Sequence, residues 1–498
     1  MNWKVIWRSL KHSDMRKRLL AVAGMIIVFR ILAQIPIPLA EPTTLKGLLD
    51  TLFTASKDTQ LLGFLDVLSG GALANFSIIL IGLGPFINAS IIMQLLTQAI
   101  PKLEALNKEG EYGRKKINQI TRIITLPLAL IQSVGAIVLV RQQAEQRAGL
   151  DITANAHLGS WVVMIAALTG GAMLLMWLGE LITEQSVGNG ISLLITAGIV
   201  SRLPSTIASV ATSVFSGTQS VTILGRTINY RGESLIIALI LLVSVVVTTW
   251  IVVKLNEASK NITINYAKRV QGNRAYGGVT TILPVKLITA GVIPIIFAVA
   301  FLSVPSFVGQ ILTTNHSAHL ADLGNKLLLW FQTPSSQTFA LPGWTPYIYP
   351  ITYFVLIVLF TYFYTSITFN TKEIAENLQK QGGFIEGVRS GNDTEKYLKT
   401  VVSRLTLFGS FSLGLIALGP IIAQVFLNTN ITVGGTGVLI MVAVALETLR
   451  AVESRALMVT YDDYSSPDYF IGHEEKVEKA KSKNKLFSKI KLKSKKSK

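Results

Sequence analysis

The 498 residues are 50% hydrophobic and 15% charged, where an ordinary soluble chain carries about 25% charged residues, and the mean hydropathy is positive. Lipid is therefore the main solvent, and the net charge of +18 belongs in loops and tails, because each charge near a bilayer centre costs roughly 3 kcal/mol. The absence of cysteine excludes disulfides, thiolate metal sites and cysteine nucleophiles.

The chain opens on a polar, basic segment, 1–18. An apolar run of span length follows with no small-residue cleavage site behind it, so the expectation is no removable signal peptide. Spans are expected at 19–39, 76–100, 123–140, 160–179, 191–215, 234–253, 283–308, 347–369, 401–427 and 433–449, about ten in all. Basic residues set their direction. Lys4, Arg8, Lys11, Arg16, Lys17 and Arg18 precede the first span, and Lys102, Lys108, Arg114, Lys115, Lys116 and Arg122 follow the second. Lys254, Lys260, Lys268, Arg269 and Arg274 follow the sixth, and Lys372, Lys380, Arg389, Lys396 and Lys399 the eighth. The segments between are poor in them: 40–75 has only Lys46 and Lys57, and 305–346 only Lys326. Both termini are thus expected in the cytoplasm. Segment 180–190, with acids and no Lys or Arg, is placed inside by parity.

Between the first two spans, Leu61, Leu62, Gly63, Phe64, Leu65, Asp66, Val67 and Leu68 are closed by Ser69, Gly70 and Gly71. At about 1.5 Å per residue this run is too short to cross, and it reads as a half-helix that enters and stops. Gly82, Gly84 and Pro85 then break or kink the start of the second span. Such backbone is tolerated at membrane depth only where it is buried in protein or lines a watery cavity; tight packing through small residues is the other reading.

Few charges lie within spans. Arg30, Arg404 and Glu447 are near enough to span ends to snorkel or pair locally. That scarcity argues against a proton- or ion-coupled transporter, though a secondary transporter of a small solute stays as the alternative reading. Asn88, Gln94, Gln132, Thr169 and Asn189 are read as interhelical hydrogen-bond partners. No nucleotide loop or serine elbow is found, and Gly188-Asn189-Gly190 is too short for a dinucleotide fingerprint. His316 and His319 lack a third ligand. No enzyme, metal or cofactor is expected. The lysine- and serine-rich end, within a basic tail over 463–498, reads as disordered, touching anionic lipid or an acidic or RNA partner.

Several segments together resemble SecY, the channel-forming subunit of the general protein translocase. They are RILAQIPIP at Arg30, SGGALANFSIILIGLGPFINASIIMQLLT at Ser69, EGEYGRKKINQITR at Glu109 and MWLGELITEQSVGNGISLLITAGIVSRLP at Met176. NYAKRVQGNRAYGG at Asn265, LPVKLITAGVIPIIFA at Leu283, FNTKEIAENLQKQGGFIEGVR at Phe369 and GGTGVLIMV at Gly434 continue the series in order. The resemblance implies an all-α, polytopic channel of ten transmembrane helices in two inverted pseudo-symmetric halves, 19–217 and 218–462, in the bacterial plasma membrane. It makes 61–71 the plug. Leu83 with Ile87, and Ile191 with Ile195, are spaced four apart and share helix faces; by the resemblance they join Ile296 and Ile440 in an apolar pore ring. Cytoplasmic loops 256–285 and 371–400 become docking sites for a SecA motor or the ribosome, through Lys268, Arg269, Arg274 and Arg389. Asn273 stands where the family has the first arginine of a pair, and Gln185 and Ser186 where relatives often carry Arg and Gly. SecE and SecG homologues, signal peptides, unfolded secretory chains and membrane lipids are the implied partners. The channel is expected to open sideways between the helices starting near Phe76 and Leu283. Deleting 61–69 is expected to leave an assembled but leaky channel, measured as ion conductance of reconstituted vesicles; a deletion that abolishes assembly favours the packing reading.

Overall fold

Lipid supplies no hydrogen-bond partners, so a spanning backbone must satisfy itself, and helices do so within one segment. The computed structural model describes residues 13–37, 76–148, 158–215, 220–223, 226–229, 234–266, 269–271, 274–276, 280–291, 293–313, 318–331, 343–427 and 435–465. The expected plug, 61–71, and the basic tail from 466 onward lie outside these.

The first half contains α1 (Ser13–Leu32), α2 (Gly84–Ala99), α3 (Pro101–Lys108), α4 (Glu111–Ala148), α5 (Leu158–Glu184) and α6 (Gly190–Phe215). A hairpin of β1 (Ser220–Ile223) and β2 (Arg226–Asn229) leads to α7 (Ser234–Glu257). Strands β3 (Ser259–Tyr266), β4 (Arg269–Gln271), β5 (Arg274–Tyr276) and β6 (Thr280–Lys286) precede α8 (Ile293–Thr313) and α9 (Ala318–Phe331). The chain ends in α10 (Thr345–Thr368), α11 (Thr371–Lys380), β7 (Gly383–Ile385), α12 (Asn392–Leu427) and α13 (Gly435–Ser465).

Each of the ten expected spans falls on one of these helices. By length and apolarity alone, Glu111–Val138, Gly159–Glu184, Thr345–Lys380 and Asn392–Gly419 can cross a membrane, and Gly190–Ser201 and Ile293–Gly309 are shorter apolar helices. Two expected spans start too early. Residues 283–286 belong to strand β6, whose TTILPVK alternates exposed Ile282 with buried Val285, and α8 begins only at Ile293. The helix of the second span begins only at Gly84, with Pro85 in its first turn, where a missing N–H costs nothing.

Residues 76–83 keep non-helical backbone, and protein pairs it. Ile37 N–H donates to Phe76 O at 2.9 Å, and Ile78 N–H to Ile35 O at 3.0 Å, with Pro36 and Ser77 bridged between them. Ser77 Oγ donates to Leu32 O at 2.7 Å, closing the last turn of α1. Phe76 and Gly82 take positive φ values of 47° and 64°, the turns that hold the segment against the bundle. It leans on α5 where only glycine fits: a Cβ at Gly171 would stand 2.1 Å from Ile78 O.

Polar clasps fix the helices to one another. Arg122 pairs with Glu180, its Nε donating to Oε1 at 2.9 Å and its Nη2 standing 2.7 Å from Oε2 as an ion pair, joining α4 to α5. Arg18 Nη1 reaches Gln185 O at 3.4 Å. Segment 180–190, which has no basic residue of its own, is thus held by basic residues from the two segments expected in the cytoplasm, and shares their end of the bundle. Arg30 donates to Ser201 Oγ at 2.8 Å between α1 and α6, and Ser133 meets Thr169 at 3.0 Å between α4 and α5.

Replacing Gly171 by valine is expected to destabilise the folded chain by about 1–3 kcal/mol through overpacking against the Ile78 carbonyl. The neighbouring Gly170, with open space where a side chain would stand, is the control. Thermal unfolding in detergent should fall for Gly171→Val and hold for Gly170→Ala.

Candidate functional site

Four helices bring the six expected ring residues into one apolar cluster. Leu83 immediately precedes α2 and Ile87 lies one turn on; Ile195 is on α6, Ile296 near the start of α8 and Ile440 near that of α13. These five are buried, and Ile191 packs half-buried against the same cluster. α2 packs on α8, joining the two halves, and α6 packs on α13, with Gly437 facing Ile199. The centre is therefore apolar and filled by branched side chains.

The position of Ile191 and Ile195 depends on how α6 starts. Asn189 Oδ1 accepts from Ile191 N–H at 3.1 Å and Ser192 N–H at 3.4 Å, while Gly190 N–H donates to Thr183 Oγ1 at 2.9 Å. A Cβ at Gly190 would stand 1.9 Å from Gly179 O, so the helix begins pressed onto α5. Gly188-Asn189-Gly190 is a helix-capping turn. This corrects the interhelical reading of Asn189, which caps its own helix. Gln94 likewise bonds within α2, Nε2 to Ser90 Oγ at 3.2 Å, while its Oε1 is buried without a partner. Asn88 is buried on the same helix, and Gln132 of α4 lies beside Gly84.

The two loops expected to dock a partner form one unit. β3 lies between β6 and β7, antiparallel to both, with Ile262 paired to Leu283 and Ile264 to both Thr281 and Ile385. Beneath the sheet Ile262, Val285, Ile385, Leu398 and Val402 make a separate small core. Pro284 falls on edge strand β6, where a missing N–H is tolerated. The sequence alone predicts no strands here. The alternation of Ile262 and Ile264 in NITINY was the available signal; three-residue β7 carried none.

Arg389 is exposed on the turn after β7. Its carbonyl accepts from Thr394 Oγ1 at 2.9 Å, and Gly387 and Gly391, at φ 77° and 99°, bend the chain on either side. Arg269 and Arg274 fall in the second hairpin, β4–β5, where Gln271 pairs with Arg274. Lys268 and Asn273 lie outside the described residues. At the foot of the long hairpin, Leu287 N–H donates to Ala258 O at 2.9 Å, and α12 approaches so closely that a Cβ at Gly409 would stand 2.4 Å from Leu287 O. Arg450 of α13 donates to Asn256 O at 3.1 Å at the end of α7. Burial, and then Arg450, hold the Lys286 ammonium below the ordinary lysine range, against the opposite pull of Glu447. Among the described residues no three His, Cys, Asp or Glu side chains gather as a metal site.

Comparison with known proteins shows the family of the chain. Residues 77–449 match the SecY family model. The protein translocase subunit SecY of Corynebacterium glutamicum is 38% identical over 468 residues, covering 92% of this chain and 98% of that one. That of Streptomyces coelicolor is 38% identical over 463 residues, with the same coverage. Among solved structures, a protein-conducting channel superposes with a TM-score of 0.54 at 18% identity, over 87% of this chain and 91% of that one. A SecY protein whose plug domain stabilises the closed channel superposes with a TM-score of 0.53 at 19% identity, over the same shares. These likenesses concern the fold, and the identity to the curated relatives runs through nearly the whole chain: it belongs to the SecY family.

Proposed function

We infer that this chain is the protein-conducting channel subunit of a Sec translocase, which passes unfolded secretory chains across a membrane and releases apolar segments sideways into lipid. The observation that carries the mechanism is the meeting of α2, α6, α8 and α13 in one shut apolar cluster. Leu83, Ile87, Ile191, Ile195, Ile296 and Ile440 act as the constriction. A dewetted apolar ring bars ions, and branched side chains give way around a passing chain without reading its sequence. The sideways exit runs between α2 and α8, whose contact joins the halves, and 61–71 is the plug.

Both termini and the β3–β6–β7 sheet face the cytoplasm of a bacterial cell. The sheet receives a SecA motor or the ribosome, with Arg389, Arg269, Arg274 and Lys268 as its basic contacts, and SecE and SecG homologues complete the complex. The canine Sec61 channel is seen bound to a ribosome, and a docking unit made from both loops suits such a large partner.

Ile191→Asn with Ile195→Asn is expected to raise ion conductance of reconstituted vesicles; unchanged conductance together with cysteines at both sites that no thiol reagent reaches sinks the ring. Arg389→Glu is expected to block motor-driven precursor transport while leaving complex assembly intact. Loss of a direct contact costs about 2 kcal/mol or more, over tenfold in affinity. Exposed Lys399→Glu is the comparison, since a charge that only sets topology shares that task with its neighbours. Equal, near-normal transport by both variants removes the docking role of Arg389.

A further inference from the structure

Helix α9 follows α8 in the chain and turns back along it. Gly324 faces the outer turns of α8: a Cβ there would stand 2.7 Å from both Gly309 O and Thr313 N, and one at Gly309 would stand 3.0 Å from Gly324 O. One end of the contact is thus backbone against backbone. At the other, buried Ser306 Oγ donates to Phe331 O, the last residue of α9, at 2.8 Å. Gly324 pairs with Gly309 and Thr313, and Phe331 with Ser306, so the helices run antiparallel and are fastened at two points about 10 Å apart along the axis.

The opposite face of α9 is uncovered. Leu323 and Trp330, spaced seven apart, are exposed on it with Leu329. Between them stand Asp322 and Lys326, which neutralise one another at 2.7 Å. The helices that α9 packs on also carry exposed apolar residues. On α8 Phe301, Val304 and Val308 are exposed, and on α10, against which α9 also packs, Ile351, Val355 and Leu359 follow at every fourth residue. That stripe ends in Tyr347 and in Trp344, which is 81% exposed at the start of α10. Trp330 on α9, and Trp344 and Tyr347 at the start of α10, are three exposed rings on these helices. Aromatic side chains of this kind favour the boundary between hydrocarbon and headgroups.

Depth follows from α8, and this step rests on the ring reading above. If Ile296 marks the bilayer centre, Ser306, ten residues on, lies about 15 Å away, at the edge of a hydrocarbon core about 30 Å thick. Ser306 is the residue bonded to the Trp330 end of α9. We propose that α9 is a lipid-interface anchor clipped to α8: Leu329 and Trp330 sit at the outer hydrocarbon boundary while Lys326 and Asp322 reach the headgroups. It fixes the depth of the helix that forms one side of the sideways exit.

The chain has no cysteine, so single nitroxide labels test the proposal directly. Trp330→Cys, Leu323→Cys, Lys326→Cys and, as a lipid reference, Val355→Cys are labelled in the assembled complex, reconstituted in phosphatidylethanolamine and phosphatidylglycerol vesicles. The expected result is a ratio of oxygen to nickel-chelate collisions several-fold higher at 330 than at 326, approaching that at 355, with 323 between. A label at 330 as open to the chelate as that at 326, or sheltered from both reagents as beneath a partner chain, overturns the anchor. Such a failure, beside a lipid-like label at 355, leaves the channel reading standing, because the conductance of the Ile191 and Ile195 variant tests that separately. The clip has its own readout: the distance between labels at Lys326→Cys and Val304→Cys is expected to stay fixed when a stalled precursor occupies the channel, and a change shows that α9 does not travel with α8.

Discussion

A backbone N–H or C=O left unpaired in hydrocarbon costs several kcal/mol, and this requirement governs where the chain can be irregular. Helices answer it alone. Residues 76–83 do not form one, and they lie where α1 and α5 meet them: the bonds from Ile37 and Ile78, the Ser77 hydroxyl and the bare face of Gly171 together replace the helical ladder. The same logic opens α6, where Asn189 and Thr183 take up the N–H groups that a first helical turn leaves free. Both irregular starts lie beside the proposed constriction. The helices that carry Ile87 and Ile195 begin within two turns of those residues, and polar bonds hold their starts.

Much of this was legible in the sequence. Gly82, Gly84 and Pro85 announced the break before α2, because glycine and proline have fixed backbone consequences whatever surrounds them. The spans were legible for the same reason: a charge-free stretch such as 234–253 has one physical answer in lipid. The sheet was not legible. β3 needs β7, some 120 residues later, and three-residue GFI has no periodicity to read. The start of α8 was misplaced by the same cause, since apolar Ile282, Leu283 and Val285 suit a strand and a span equally until a pairing partner decides. The roles of Asn189 and Gln94 were misjudged because a polar side chain in a span can bond to a neighbouring helix or to its own, and spacing alone does not choose.

Glycines mark where elements approach most closely. Gly171 admits the Ile78 carbonyl, Gly190 the Gly179 carbonyl, Gly409 the Leu287 carbonyl, and Gly309 with Gly324 admit each other. In each case one backbone touches another, which is how membrane helices associate when burial from water contributes little. These contacts join α5 to the irregular segment, α5 to α6, α12 to the hairpin foot and α8 to α9. They leave the α2–α8 seam, whose Ile87 and Ile296 belong to one buried apolar cluster, free of any such backbone lock among the described residues. A seam made of branched side chains can part and close again more readily than one made of interlocked backbones.

The β3–β6–β7 sheet gives that seam a mechanical connection. Because β3 is the central strand, the loop of Arg389 and the hairpin cannot be displaced independently without breaking the β3–β7 ladder. The sheet has its own small core, so it moves as one body. Its foot is tied to α7 through Leu287 and Ala258, pressed by α12 at Gly409, and overlaid by Arg450 of α13, whose bond to Asn256 lies less than three turns of helix from Ile440. From Lys286 the chain continues within a few residues into α8 and Ile296. Two of the four helices that meet at the apolar centre, α8 and α13, are therefore attached directly to the sheet's foot. A displacement of the sheet therefore acts on α8, which follows it directly in the chain, and on α13, whose Arg450 is bonded at its foot.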